Sequence, residues 1–422
     1  MSIRAVFFLS SPEHDPQVGG TPAPFVRVAG VELLTRQILT AIKNGAEKVW
    51  IAPGPHAERA RALLSSDQRL KDQPVEIAGS LGEALDQAAA ADEGGRMLIA
   101  GPDVLFGPDV VSFAAQSETI TAPVRWDEER ALFFAPASAL QGLGADKAAE
   151  AITGAQPMHA KDQPYDKRAF VVPIASPADV KQGKKAIFSI VTKPTSGWVS
   201  RNLNSKLSIP LSKFLSEYPI TPNMITLLTT IVGFSCFPFL IRGDYLGTFM
   251  GGLLFQLAAA LDRSDGEIAR SKFLASDMGE WIDTIGDNLT YILFLIGLTI
   301  GTRERTGHDY ILWIGIGLIV LAAVVLGLMY RYLLTHTKSG SLVAVYKDME
   351  AKFEGKEKPL TYRILDKIRF MGKRDFYSML VFVLCAFNLL ELTFWAAIIT
   401  VLCILAYLMS GKSKLPTADA SA

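Results

Sequence analysis

Leu261–Asp287 reads LDRSDGEIARSKFLASDMGEWIDTIGD, and its reading decides the second half of the chain. It joins two apolar runs, about 246–268 and about 281–302. Each run approaches the roughly 20 residues a bilayer core requires. Ionisable side chains inside such segments are expensive, so a cluster of them marks function by default. Asp262 and Asp265 are three residues apart and share a helix face, and Asp283 and Asp287, four apart, share another. The turn between the runs makes the helices antiparallel neighbours, so four carboxylates can converge near one membrane surface. Carboxylates that close cannot all stay ionised without cations. Oxygen-only ligands select hard metals such as Mg²⁺, Mn²⁺ or Ca²⁺. Two such ions would neutralise a pyrophosphate and stabilise phosphoryl transfer. Gly266 and Ala269 lie on the side of Asp262, and Gly279 lies four residues before Asp283. Small residues there let a nucleotide approach the backbone. Arg270 can pair with a phosphate or a carboxylate.

Working outward, candidate spans lie at about 222–241, 246–268, 281–302, 310–333, 376–390 and 392–410. The loop after the fourth carries Lys338, Lys347, Lys352, Lys356, Lys358, Arg363, Lys367, Arg369, Lys373 and Arg374, which places it in the cytoplasm. Lys412 and Lys414 place the tail there too; Arg303 and Arg305 are a mild exception. Six spans put both termini on the cytoplasmic side of a multi-pass inner membrane protein. Ahead of the first span, 195–218 mixes Trp198, Leu203, Leu207, Leu211, Phe214 and Leu215 with Arg201, Lys206 and Lys213. This fits an amphipathic helix at the membrane surface, broken or kinked at Pro210. The plain alternative is a helix packed on the soluble part.

The front of the chain is different. Short apolar strands at Ala5–Leu9, Val49–Ala52, Val75–Ala78 and Met97–Ala100 alternate with helical patterns at about 31–43, around Arg59 and Leu63, and at about 81–91. Alternation of this kind implies a mostly parallel sheet. The expected organisation is a Rossmann-like α/β domain over 1–175 and a polar linker over 176–194. The juxtamembrane helix over 195–218, an all-α six-helix transmembrane domain over 219–411 and a tail over 412–422 follow. Half of the 422 residues are hydrophobic, as a soluble part joined to a membrane part requires. Formal net charge is zero, which gives no pointer to nucleic acid. Cys236, Cys385 and Cys403 lie in apolar runs and read as small buried hydrophobes. The opening apolar run is too short for a signal peptide, which keeps the front domain in the cytoplasm.

Asp262, Asp265-Gly266, Ala269-Arg270, Gly279, Asp283 and Asp287 reproduce the pattern DxxDGxxARx8GxxxDxxxD. The chain here resembles the CDP-alcohol phosphotransferase family, and eight matched positions at fixed spacing are a specific signal. Ile220–Thr226 resembles the entry to that family's first span, and the resemblance places Thr226 with Gly266, Ala269, Arg270 and Gly279 at the nucleotide. It implies six transmembrane helices, a homodimer in the lipid, a CDP-alcohol donor, a hydroxyl acceptor and release of CMP. It also implies that Asp262, Asp265, Asp283 and Asp287 hold Mg²⁺ or Mn²⁺, two ions in all, and that Asp287 deprotonates the acceptor. Lys193-Pro194-Thr195, Ser200-Arg201 and Lys373-Arg374-Asp375 resemble members that handle inositol phosphates, some with a nucleotidyltransferase fused in front. Lys373 and Arg374 can grip a substrate phosphate; positive-inside anchoring explains them equally well.

The front domain itself resembles a sugar-phosphate nucleotidyltransferase in strand Ala5–Leu9, Gly19-Gly20, Pro24–Gly30 and Asp103. It departs where the triphosphate would be held: Ser10-Ser11-Pro12-Glu13-His14 replaces a glycine-rich loop, and Ala23 stands where a lysine is expected. A degenerate domain is expected, with a bifunctional chain that makes its own CDP-alcohol as the alternative. A charged hairpin in a transporter or scaffold is the remote one, since it leaves the glycines, Ala269 and Arg270 unexplained.

Overall fold

The computed structural model describes residues 2–10, 15–91, 94–117, 120–128, 130–158, 166–193, 196–336 and 374–412. It divides into two units, the first built on residues 1–191 and the second on the rest, apart from two short segments grouped with the first, Ser216–Tyr218 and Ser271–Phe273.

The first unit grows from strands that are apolar on both faces. β1 (Ile3–Phe8) is buried at every position. Ile3, Ala5 and Phe7 point into one core with Leu34, Ile38 and Phe134, while Val6 and Phe8 point into another with Trp50, Leu85 and Ile99. Such two-sided burial is what parallel strands covered by helices require. The other sheet strands are β2 (Ala46–Ala52), β3 (Val75–Ile77), β4 (Arg96–Ala100), β5 (Val124–Arg125), β6 (Leu132–Pro136) and β7 (Gln156–Pro157). Their spatial order is β7-β5-β6-β4-β1-β2-β3. β4, β1, β2 and β3 pair in parallel, and β6 runs antiparallel to β4 and β5. The connecting helices are α1 (Leu33–Lys43), α2 (Ala57–Ser66), α3 (Leu81–Ala90), α4 (Pro108–Gln116), α5 (Ala145–Thr153) and α6 (Pro177–Ile190). The mostly parallel α/β domain expected from the strand–helix alternation is therefore present.

One expectation needs correction. The stretch read as a polar linker, 176–194, is mostly helix α6. Ser176 caps it, its hydroxyl accepting from the Asp179 amide, and Pro177 sits at the first helical position, where its missing N–H costs nothing. Proline read as a loop signal is here a helix start. Its inner face buries Gly183, Ile187 and Phe188. Within α1, Arg36 is buried and donates to the carbonyls of Val28 (2.7 Å) and Ala29 (3.2 Å), holding the turn ahead of the helix, in which Ala29 and Gly30 adopt left-handed φ of 50° and 76°. Burial first, then the nearby charge of Arg69, pushes its guanidinium down to about 9.

The second unit is helical. α7 (Ser205–Leu215) follows a π turn at Ser200–Asn204. Then come α8 (Pro222–Phe234), α9 (Phe237–Leu240), α10 (Tyr245–Ser271), α11 (Asp277–Thr306), α12 (Tyr310–His336), α13 (Arg374–Ala386) and α14 (Leu390–Lys412). Pro210 lies inside α7 and does not break it; the helix forgoes one backbone bond there. Among the described residues four stretches are long and apolar enough to cross a membrane: Pro222–Leu240, Tyr245–Ser271, Asp277–Thr306 and Tyr310–His336. The expected fifth and sixth spans correspond to α13, 13 residues long, and α14, whose apolar part is Leu390–Ala406. Large apolar side chains such as Leu227, Ile231, Trp313, Val320 and Ile399 are exposed, as lipid-facing residues are. Inside, Phe255 stacks on Phe294 at 4.2 Å and Tyr377 meets both edge-on. Cys236 and Cys385 are free thiols buried among them.

Two glycines set how closely α8 and α11 approach. A Cβ on Gly286 would stand 2.7 Å from the Thr230 hydroxyl, and one on Gly233 would stand 2.6 Å from the Thr290 methyl. Close approach of this kind is how membrane helices associate without a hydrophobic driving force between them. Gly286→Val is expected to push α8 from α11 and destabilise the helical unit by about 1–3 kcal/mol. A lowered thermal midpoint of the detergent-solubilised chain is the readout; an unchanged midpoint would show that the contact is slack.

Candidate active site

The site is assembled from the ends of three helices. α8 starts at Thr221, whose hydroxyl accepts from the Met224 amide, with Pro222 at the first helical position. This is the physical content of the Ile220–Thr226 stretch: a capped start that fixes where Thr226 falls. α11 starts at Ser276, whose hydroxyl accepts from the Gly279 amide at 3.1 Å, with Asp277 and Glu280 in the first turn where the helix dipole favours them. Gly307, at φ 70°, ends it. α10 carries the Asp262–Arg270 half of the motif through its last turns.

Asp262, Asp265 and Asp283 each offer one carboxylate oxygen to a group spanning no more than 4.8 Å. Asp265 is buried, and its Oδ2 accepts from the Thr226 hydroxyl at 2.7 Å while its Oδ1 accepts from the Gly266 amide. Asp283 Oδ1 is buried with no hydrogen-bond partner among the described residues. A buried carboxylate oxygen without a donor is costly. An oxygen-only donor set with such an orphaned atom fits a hard divalent cation. Asp287 lies one turn further along α11. Arg374, at the start of α13, bridges it to Asp262: its Nη1 lies 2.9 Å from Asp262 Oδ2 and also pairs with Asp287 Oδ1.

The remaining expected residues are placed as follows. The Arg270 guanidinium lies over Gly266, with Nη1 2.9 Å from where a Cβ would stand. Ala269 is half-buried on the same helix. Gly279 sits in the first turn of α11, about 6 Å of helix rise before Asp283, where a Cβ would stand 3.6 Å from Asn223 Oδ1 of α8. Thr226 faces Asp265, so it orients a carboxylate. Lys373, Pro194 and Thr195 lie outside the described residues. In the first unit, Gly19 and Gly20 have left-handed φ of 59° and 80° in the Gln17–Pro22 hairpin. Ala23 is fully buried and Asp103 is buried. Of the segment expected to replace the glycine-rich loop, only Ser10 is described.

Residue spacing missed several groups that surround the site. Asn288, next to Asp287, donates to the Tyr330 hydroxyl at 2.6 Å, and Tyr330 stacks on Trp281 at 5.9 Å. That contact joins α11 to α12, and no periodicity within one helix reports it. Glu267, at a variable position of the motif, is fully buried.

Residues 219–405 match the family model described as CDP-alcohol phosphatidyltransferase. The C-terminal half carries a CDP-alcohol phosphotransferase domain. The chain is 29% identical over 208 residues to the bifunctional IPC transferase and DIPP synthase of Aquifex aeolicus, covering 49% of this chain and 42% of that protein. It is 29% identical over 187 residues to the protein of the same name from Thermococcus kodakarensis, covering 43% and 40%. The matched part thus spans about two-fifths of these relatives' lengths. Among solved structures, the inositol-1-phosphate CTP transferase of T. maritima aligns at a TM-score of 0.27 and 16% identity, over 43% of this chain and 95% of that one. A score that low does not establish a shared fold.

Thr226→Val keeps the shape of the side chain and removes the donor to Asp265. Partners that orient a metal ligand are worth roughly 10- to 100-fold in metal affinity. Mn²⁺ titration of the phosphotransferase domain in the full chain, followed by electron paramagnetic resonance, should show a loss at the lower end of that range. An unaltered affinity would mean that the Gly266 amide alone orients Asp265.

Proposed function

We propose that the chain transfers a phospho-alcohol from a CDP-alcohol to an acceptor hydroxyl and releases CMP. The observation that supports this reading is the meeting of Asp262, Asp265 and Asp283 from two motif helices, with Asp287 one turn beyond them. Asp262, Asp265 and Asp283 would hold Mg²⁺ or Mn²⁺, with Asp287 reaching a second ion. When bound, the metal neutralises the pyrophosphate and stabilises the charge that develops in transfer. The acceptor oxygen forms a bond to the β-phosphorus as the bond from that phosphorus to the bridging oxygen breaks. CMP departs with the electron pair, and Asp287 takes the hydroxyl proton. Arg374, beside Asp262 and Asp287, is placed to exchange a carboxylate for a substrate phosphate, and Lys373 would assist. That exchange would leave Asp287 free to act as the base. Gly266, Ala269, Gly279 and Arg270 would line the nucleotide, and Thr226 would set Asp265.

The resemblance of Lys193-Pro194-Thr195, Ser200-Arg201 and Lys373-Arg374-Asp375 to members handling inositol phosphates favours an inositol-type alcohol in the donor. Six spans, both termini in the cytoplasm, a homodimer and a lipid environment complete the proposal. The front unit is read as non-catalytic, because Ala23 is buried where a phosphate-binding lysine would be needed. The second reading is a bifunctional chain that makes its own CDP-alcohol; the word "bifunctional" in the names of both relatives favours it.

Asp287→Asn keeps an oxygen in place and removes the base. Turnover of a CDP-alcohol is expected to fall by on the order of 10²-fold or more, while CDP-alcohol binding survives. Asp265→Asn should lose both together. Equal loss of nucleotide binding in the two variants would make Asp287 chiefly a ligand.

The front unit is tested in the Asp287→Asn chain, with the membrane site silenced. No pyrophosphate should be released from CTP mixed with inositol phosphate or a sugar phosphate. Its release would establish the bifunctional reading.

A further inference from the structure

Glu267 sits inside the motif, between Gly266 and the Ala269-Arg270 pair, yet it faces away from the carboxylate cluster. At 100° per residue it lies about 140° around α10 from Asp262, with Arg263 at about 100° and Gln256 at about 120°. Asp262, Asp265, Gly266 and Ala269 occupy the other side. The carboxylate of Glu267 is fully buried, and so are the side chains of Ser208 and Ser212 that meet it. Ser208 Oγ donates to Oε1 at 2.9 Å, Ser212 Oγ donates to Oε2 at 2.8 Å, and Arg263 Nη2 donates to Oε1 at 3.1 Å. Arg263 is held in turn: Nε donates to Ser208 Oγ at 3.2 Å and Nη1 to Ser200 Oγ. About two turns before Arg263 on α10, Gln256 donates to Asn204 Oδ1 at 3.0 Å. The same segment is tied to α13 by its Ser200 amide, which donates to Asp375 Oδ2 at 3.0 Å.

The segment 198–215 is thus turned opposite to an ordinary surface helix. Ser200, Asn204, Ser208 and Ser212 recur every fourth residue and are buried against α10, while Trp198, Leu203, Leu207 and Phe214 are exposed. A buried carboxylate with three donors fixes both position and rotation, because each bond is directional and its loss leaves an uncompensated charge. Rotation matters at the other side of the helix. A carboxylate carried about 6 Å from the axis moves about 2 Å when the helix turns by about 20°. Metal–ligand distances tolerate only about 0.2 Å. Arg263, adjacent in sequence to Asp262, would also compete for the metal carboxylates if Glu267 released it.

We propose that Glu267 is a positioning residue for the metal site: anchored by Ser208 and Ser212 and holding Arg263, it sets the rotation of α10 and keeps the Arg263 charge away from Asp262 and Asp265. The proposal rests on the metal-site reading above, and the test separates the two. Mn²⁺ affinity of the full chain in detergent is measured by electron paramagnetic resonance, with CMP present, alongside the thermal midpoint. The parent is compared with Glu267→Gln, Ser208→Ala/Ser212→Ala and Arg263→Gln/Glu267→Gln. Glu267→Gln is expected to weaken Mn²⁺ binding by roughly tenfold or more, as outer-sphere partners do, in a chain that still folds. The double serine variant should lose several-fold on the same grounds. Removing Arg263 together with Glu267 should recover much of the affinity. Parent-like affinity in both Glu267→Gln and the double serine variant overturns the positioning role and leaves the metal site standing. If Glu267→Gln does not fold, the double serine variant decides by the same criterion. Failure of the parent itself to bind Mn²⁺ would instead sink the metal-site reading.

Discussion

Placing four aspartates on helices built to cross a bilayer is the constraint on which the rest of the second unit depends. Each carboxylate removed from water without a partner is destabilising by several kcal/mol. Asp265 is supported by Thr226 and the Gly266 amide, and Asp262 and Asp287 by Arg374. Asp283 keeps one oxygen with no donor among the described residues. An arrangement that satisfies three of four acidic groups and leaves an atom of the fourth without a donor among the described residues fits a cation, and an oxygen-only donor set fits a hard one.

Around that cluster, directional polar contacts do what apolar packing cannot do between membrane helices. Apolar side chains are as well solvated by lipid tails as by one another, so they specify rotation weakly. Hydrogen bonds and glycine contacts specify it well. Gly286 beneath Thr230 and Gly233 beneath Thr290 set the distance between α8 and α11. Thr226 carries the setting of α8 to Asp265 on α10, and Glu267 carries the setting of the juxtamembrane segment to the opposite side of α10. Four helices, α7, α8, α10 and α11, are thereby registered against each other within one or two turns of the carboxylates.

The juxtamembrane segment shows what composition alone leaves out. Its apolar residues suggested one face, with Arg201, Lys206 and Lys213 elsewhere, and Trp198, Leu203, Leu207 and Phe214 are exposed. What composition did not show is that serine and asparagine at every fourth position form a third, buried stripe. Small polar residues are neutral in a hydropathy pattern; they gain meaning only when a buried carboxylate stands opposite. Proline was similarly ambiguous: Pro177 opens α6 where a linker was expected, and Pro210 sits within α7 where a break or kink was expected. The effect of a proline depends on whether its missing N–H had a partner to lose.

The sequence by itself determined the strand–helix alternation of the first unit and the apolar length of four membrane helices. It also determined the face shared by Asp262 and Asp265 and the one shared by Asp283 and Asp287. These follow from periods of two and 3.6 residues, which are properties of a single element. The antiparallel strand β6 was not legible, because an apolar run does not state its direction in a sheet. Nor was the bridge from Arg374 to Asp262 and Asp287, which joins residues 112 and 87 positions apart. Which three of four aspartates draw within 4.8 Å of one another, and which hydroxyls hold Glu267, was decided only by how the helices pack. Distances between elements depend on the side chains of both partners at once, and no pattern along one chain segment contains them.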